Sequence, residues 1–242
     1  MTAGRRSSLH AISARVKSIR ANIDPLLIHG KVWMAGELSL ATLLVVGLGF
    51  LPAASRSILP ILLFAGFSLW CRQLRIAEIG LGKPSSWPKV ILTGLVLGAV
   101  ITLLGNLVIL PLIRRWSGLK TVSPGGLPAM GNNLGLLVVL IASNWILAAG
   151  AEEFVFRGYF LNRFLDLAGP ARIGMVASIV GSALLFSAGH GFSNVWYALS
   201  TLFTGLIYGL VYLSSGRNLW PTIIAHGIAN TLGISMAFLG II

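Results

Sequence analysis

Seven long hydrophobic runs govern what this chain can fold into. They lie near residues 33–53, 58–71, 88–113, 134–165, 171–190, 195–213 and 219–242. In lipid every backbone N–H and C=O must be satisfied within the protein, which leaves helices and closed barrels. Barrel strands need only ~9–11 residues, whereas about 20 apolar residues make one helical crossing. The expected fold is all-α: a polytopic membrane bundle of about seven transmembrane helices over residues 33–242, preceded by a basic arm over 1–32. Composition agrees, with 56% hydrophobic and 10% charged residues against roughly 25% charged in a soluble domain.

The formal charge of +12 would suggest nucleic acid if the basic residues shared a soluble face. They flank the apolar runs instead, so no nucleic-acid partner is expected and the lipid bilayer takes that place. With the N-terminus inside, 13 of the 18 Lys and Arg fall on the inner side, including Arg72, Arg75, Lys83, Lys89, Arg163, Arg172 and Arg217. Arg56, Arg114, Arg115 and Lys120 fall outside. The positive-inside bias therefore favours a cytoplasmic N-terminus and an outer C-terminus. In the arm, Leu9, Ile12, Val16, Ile19 and Ile23 recur at helical spacing among basic residues, with no acid before Asp24. That pattern suits an amphipathic helix on a membrane surface. An organelle transit peptide has similar chemistry, but this arm runs straight into the first span and is read as retained. It lacks the pattern of a secretory signal.

Cys71 is alone, so no disulfide or cysteine metal site forms within one chain. The connection 114–133, with Pro124, Gly125, Gly126, Pro128 and Gly131, is expected to be irregular. Gly94 with Gly98 and Gly205 with Gly209 are spaced for close helix contact.

The informative residues are the polar ones inside the spans. Of six acids in 242 residues, two adjoin in the stretch AGAEEFVFRGYF, Ala149 to Phe160. An ionisable group in a span is costly unless it is paired or faces water, and so marks a candidate site. The set is Glu152, Glu153 and Arg157 on the fourth helix, His190 at the end of the fifth, and His226 with Asn230 on the seventh; Glu37 lies near the inner end of the first. Glu153 and Arg157 stand i,i+4, in the order that favours an ion pair, and a structural pair is the plainest reading of them. Glu152 lies about 100° round the helix, without a local cation, so it needs a partner from another helix or water. His226 and Asn230 share a face, as do Phe186 and His190. Glu37 reads as an interfacial or packing residue.

A carboxylate and a histidine can hold and deprotonate a water, while a histidine and an amide can donate to an oxyanion. Those are the parts for hydrolysing an amide by direct attack of water. Glu152, His190 and His226 also form a known zinc set, two histidines and one glutamate with an open position. The spacing alone leaves both schemes open.

Three motifs carry a resemblance. EEFVFR fits EExxxR, FSAGH fits FxxxH and HGIAN fits HxxxN, in that order, with FRGYF and NLWPTIIAHGIANT around them. This resembles the CPBP family of intramembrane proteases, which includes CAAX prenyl endopeptidases and the bacterial Abi proteins linked to bacteriocin self-immunity. The resemblance covers roughly residues 145–235. It implies an intramembrane endopeptidase in which Glu152 and His190 activate water, His226 and Asn230 stabilise the oxyanion, and Arg157 holds Glu153. It implies a peptide or lipidated-protein substrate, with a role of CAAX type, in peptide maturation or in immunity. The metal-free scheme is favoured, so no cofactor is required, and zinc on Glu152, His190 and His226 is the alternative. The expected location is a bacterial cell membrane, as a multi-pass protein. The competing class is non-catalytic: a membrane scaffold or binding protein, or a proton-coupled transporter, against which the lack of an inverted repeat argues. The sequence does not reach oligomeric state.

One difficulty is geometric. At about 1.5 Å per residue, Glu153 stands ~21 Å from the inner end of its helix, Asn230 ~18 Å and His226 ~12 Å from that of the seventh, and His190 ~27 Å up the fifth. Helix ends or tilt must close that gap, and the side on which the pocket opens is left undecided.

Overall fold

The computed structural model describes residues 30–52, 56–117, 131–192 and 195–241. The basic arm lies outside them except for its last residues, and most of the connection 114–133 also lies outside. Each of the seven apolar runs is helical. We number them α1 (Lys31–Gly49), α2 (Leu59–Cys71), α3 (Trp87–Ile109, continuing as Leu110–Ser117), α4 (Leu134–Ala168), α5 (Arg172–His190), α6 (Val195–Ser214) and α7 (Trp220–Phe238). No strand occurs among the described residues.

Local chemistry sets the ends. Ser86 caps α3 by accepting from the Lys89 N–H, and Asn133 caps α4 by accepting from Leu136 at 2.9 Å, each satisfying an orphan donor of a first turn. Pro60, Pro88 and Pro221 occupy first-turn positions, where the missing N–H is not needed. Gly191 ends α5 with φ +96°, a conformation open to glycine and strained for other residues. The second run does not continue towards Ile79 as one helix. It stops at Cys71, and a short π turn, Ala77–Leu81, follows.

Five of the helices are long and apolar enough to cross a membrane: α1, α3, α4, α5 and α6. Helix α2 has 13 residues and is shorter. Helix α7 carries the polar motif and packs between α3 and α4 rather than facing lipid on most sides. The outer surface is apolar: Leu43, Leu63, Phe67, Leu92, Val138 and Ile173 are all exposed, as expected where hydrocarbon and not water is the solvent. Over Trp87–Leu104 the buried residues of α3 are two glycines, Gly94 and Gly98. A Cβ at Gly98 would fall 2.7 Å from the Ala225 carbonyl oxygen, and one at Gly94 2.5 Å from Ile224 Cγ2. Gly205 meets Ala183 and Gly209 meets Ile179 in the same way. Both glycine pairs are packing devices, as their spacing suggested. Gly98→Ala is expected to cost about 1–3 kcal/mol through overpacking, read as a lower unfolding temperature in detergent. Gly105→Ala, where nothing lies within 4 Å, should leave that temperature level or raise it, because alanine is the better helix former.

Helix α4 is the axis of the bundle. From Val155 to Leu161 every residue is buried, against α1 and α2 on one side and α5, α6 and α7 on the other. Much of it is π-helical, over Asn144–Glu152 and Phe154–Leu161, with the wider turn that recurs at functional sites. Glu37 proves to be a tie between helices: its carboxylate accepts from Tyr159 at 2.7 Å and from Ser68, and it pairs with Arg72. This pins α1 and α2 to α4.

The connections that precede α3 and α7 close the apparent gap in depth between α4 and α7. The Leu219 N–H donates to Gly80 O at 2.8 Å, with Gly80 at φ +101°, so both connections reach inward to the level of Gly158. There the Ile79 carbonyl and Leu219 pack against the bare Gly158 Cα. From that shared level α4 climbs to Glu152 and α7 climbs to His226 over nearly equal lengths. The end of α4 and the start of α5 also lie together, since Gly174 packs on the Gly169 and Ala168 carbonyls.

Candidate active site

The fully buried pair Glu153–Arg157 forms the floor of the site. Arg157 Nη1 donates to Glu153 Oε1 at 2.8 Å, and its Nη2 donates to Gly205 O at 3.1 Å. The guanidinium also lies over the Phe186 and Tyr208 rings, 4.6 and 5.2 Å from their centroids, where aromatic faces attract cations. The i,i+4 pair expected from the sequence is formed. Its other role is on α7: Glu153 Oε1 lies 3.0 Å from His226 Nδ1. A carboxylate held by Arg157 accepts, so Nδ1 carries the proton and Nε2 points away from Glu153. Tyr208 stacks on the His226 ring at 5.3 Å.

Helix α5 supplies His190. Its Nδ1 lies 2.8 Å from Phe186 O. A carbonyl can only accept, so Nδ1 is the protonated nitrogen and Nε2 of the neutral ring keeps its lone pair. Phe186 sits between the two histidines, tilted against His190 at 4.5 Å between ring centroids and edge-on to His226 at 6.1 Å. This accounts for the face shared by Phe186 and His190.

Glu152 closes the group. Its Oε2 is 3.8 Å from His190 Nε2 and 4.0 Å from His226 Nε2. That oxygen is buried and has no hydrogen-bond partner. The structure thus brings Glu152, Glu153, Arg157, His190 and His226 together from α4, α5 and α7. Asn230 stands half-buried one turn beyond His226, and the hydrogen bonds of the cluster do not extend to it.

Among the described residues no group of three His, Cys, Asp or Glu is close enough to hold a metal ion. Ligands ~2.0–2.1 Å from a tetrahedral zinc lie ~3.3 Å apart. The separations of 3.8 and 4.0 Å around Glu152 Oε2 are wider. As placed, Glu152, His190 and His226 do not fit a tetrahedral zinc.

Sequence reasoning missed several supporting residues. Asn144 donates to Gly227 O at 3.0 Å and lies 3.3 Å from Thr231, locking α7 to α4 beside His226. Trp145 packs on the bare Gly227 Cα. An asparagine buried within an apolar run was the available signal. An apolar groove of about 660 Å³, walled by Trp87, Trp145, Trp220, Ile146, Phe154 and Ile223 among others, runs between α2, α3, α4 and α7, and its lining includes none of Glu152, Glu153, Arg157, His190 and His226. Ala151, next to Glu152 in the chain, also lines it.

The fold and the cluster together define a multi-pass membrane protein with a buried Glu–Arg–His constellation at a helix junction. Residues 134–232 match the family described as type II CAAX prenyl endopeptidase Rce1-like. That match agrees with the resemblance to the CPBP proteases read from the three motifs. The match runs from the start of α4 into α7 and leaves α1–α3 outside it. No curated protein and no solved structure matches the chain.

Proposed function

We propose that the protein is an intramembrane endopeptidase that cuts a peptide bond by direct attack of water, without a metal. The observation that carries this is Glu152 Oε2: a buried carboxylate oxygen without a partner, facing two imidazole nitrogens at water-bridging distance. Glu152 and His190 Nε2 are both acceptors. One water donating an O–H to each would be held with a lone pair free for the scissile carbonyl carbon. Attack forms the C–O bond as the water proton passes to Glu152. The oxyanion is met by His226 and by the Asn230 amide. With Nδ1 already donating to Glu153, His226 donates from Nε2 only as the doubly protonated ring. Collapse breaks the C–N bond, and Glu152 returns the proton to the leaving amine. The ligand spacing described above favours this scheme over one on zinc.

The apolar groove beside Ala151 suits a lipidated or strongly hydrophobic peptide, which a bilayer presents laterally. A prenylated C-terminal peptide, a maturing secreted peptide and a bacteriocin all fit that description. We also propose a bacterial membrane, with a cytoplasmic N-terminus that the placement of the basic residues supports. The test is a panel of prenylated, acylated and unmodified fluorogenic peptides, given to purified protein with and without a strong chelator. Cleavage that survives chelation supports the reading. Chelation that abolishes it, restored by zinc, overturns the metal-free step. Cleavage of none of the peptides, together with proton-coupled uptake into vesicles, would move the protein to the transporter class.

A further inference from the structure

We propose that Arg56, in the connection between α1 and α2, is a positioning residue for His190. The inference rests on the reading of His190 as the base beside Glu152. It is drawn from a part of the chain that carries no motif and lies outside the family match.

Arg56 ties two helix ends. Its Nε donates to Leu51 O at 2.9 Å, just beyond α1, and its Nη1 donates to the carbonyl of His190, the last residue of α5. Carbonyls of a last turn have no donor within their own helix, and a cation there meets the negative end of the helix dipole. A planar guanidinium reaches both carbonyls at once, which a lysine ammonium with its single point charge does not reproduce. The guanidinium also covers the backbone after His190. A Cβ at Gly191 would lie 2.2 Å from the Arg56 guanidinium carbon. Two further contacts join the same ends: Gly49 sits against the Ala188 carbonyl, and the Phe50 and Phe192 rings lie 5.0 Å apart.

The consequence falls on the His190 ring. Its Nδ1 is fixed to Phe186 O within the same turn, so the place of Nε2 follows the backbone of that turn. Helix ends fray when their last carbonyls are unsatisfied. A shift of about 1 Å at a catalytic group costs on the order of 10²-fold in rate. Arg56 keeps the last turn of α5 closed and so keeps Nε2 against Glu152.

The experiment uses the full-length protein in detergent, with two readouts. In hydrogen exchange, Arg56→Ala should speed the amides of residues 188–191 by about tenfold or more through local opening, leaving those of 153–161 unchanged. In peptide cleavage, Arg56→Ala should lower kcat about 10–100-fold with KM little changed. In a His190→Ala background the same substitution should change the residual rate no further. Arg56→Lys should recover only part of the loss, and serves both readouts if the alanine variant fails to fold. Unchanged exchange at 188–191 overturns the proposal. So does an equal fall in rate in both backgrounds, or a rise in KM alone, which would make Arg56 a substrate contact. If the wild type cleaves nothing, the functional reading fails and the exchange result alone decides whether Arg56 orders the turn.

Discussion

Glu152→Gln is expected to lower kcat by about 10²–10⁴-fold, the range for removing a general base, while the unfolding temperature stays level or rises. In the proposed scheme the substitution keeps the shape and takes away only the capacity to accept the water proton. Stability is spared because Oε2 forms no hydrogen bond that the amide would lose, and a neutral amide there relieves the burial of a charge. That combination separates a working carboxylate from a structural one. A structural acid would be marked by lost stability with the rate intact. Full turnover by the Glu152→Gln variant on a peptide that the wild type cleaves would remove Glu152 from the mechanism. The check is single-turnover cleavage beside thermal unfolding of the same preparation.

Arg157→Met is expected to be the most destabilising change in the site, costing about 3–5 kcal/mol. Arg157 and Glu153 are both fully buried, and removing one partner leaves the other charge in a low-dielectric interior without compensation. The double substitution Glu153→Gln with Arg157→Met should recover most of that loss, since a buried pair replaced by neutral groups is often close to neutral in stability. The double-mutant cycle isolates the coupling. Recovered stability should not restore cleavage, because His226 Nδ1 would no longer face a carboxylate. Thermal unfolding of the four proteins gives the first result and peptide turnover the second. A cost under about 1 kcal/mol for Arg157→Met would mean that the pair behaves as a solvated one.

Depth within the bundle depends on the connections that precede α3 and α7. The motif residues of α4 and α7 come level only because Leu219 hydrogen-bonds Gly80 and both chains pack on Gly158. Counting residues from assumed helix ends could not find this, since it arises from two segments far apart in sequence. The π-helical course of α4 was equally hidden. Hydrophobic periodicity places a helix but does not distinguish i→i+4 from i→i+5 bonding over a run that is apolar on nearly every face.

What the amino-acid sequence determined by itself was local. Lipid leaves an apolar run no partner for its backbone except its own turns, so seven runs meant seven helices. Helical spacing put Glu153 with Arg157 and His226 with Asn230 before any packing was known. Tertiary structure alone decided which groups meet across helices: Glu152 with two imidazoles, Glu37 with Ser68, Arg72 and Tyr159, Asn144 with Gly227, and Arg56 with the last carbonyl of α5. Such contacts follow from where small residues let backbones approach and where connections turn inward, and no short stretch of sequence holds that information.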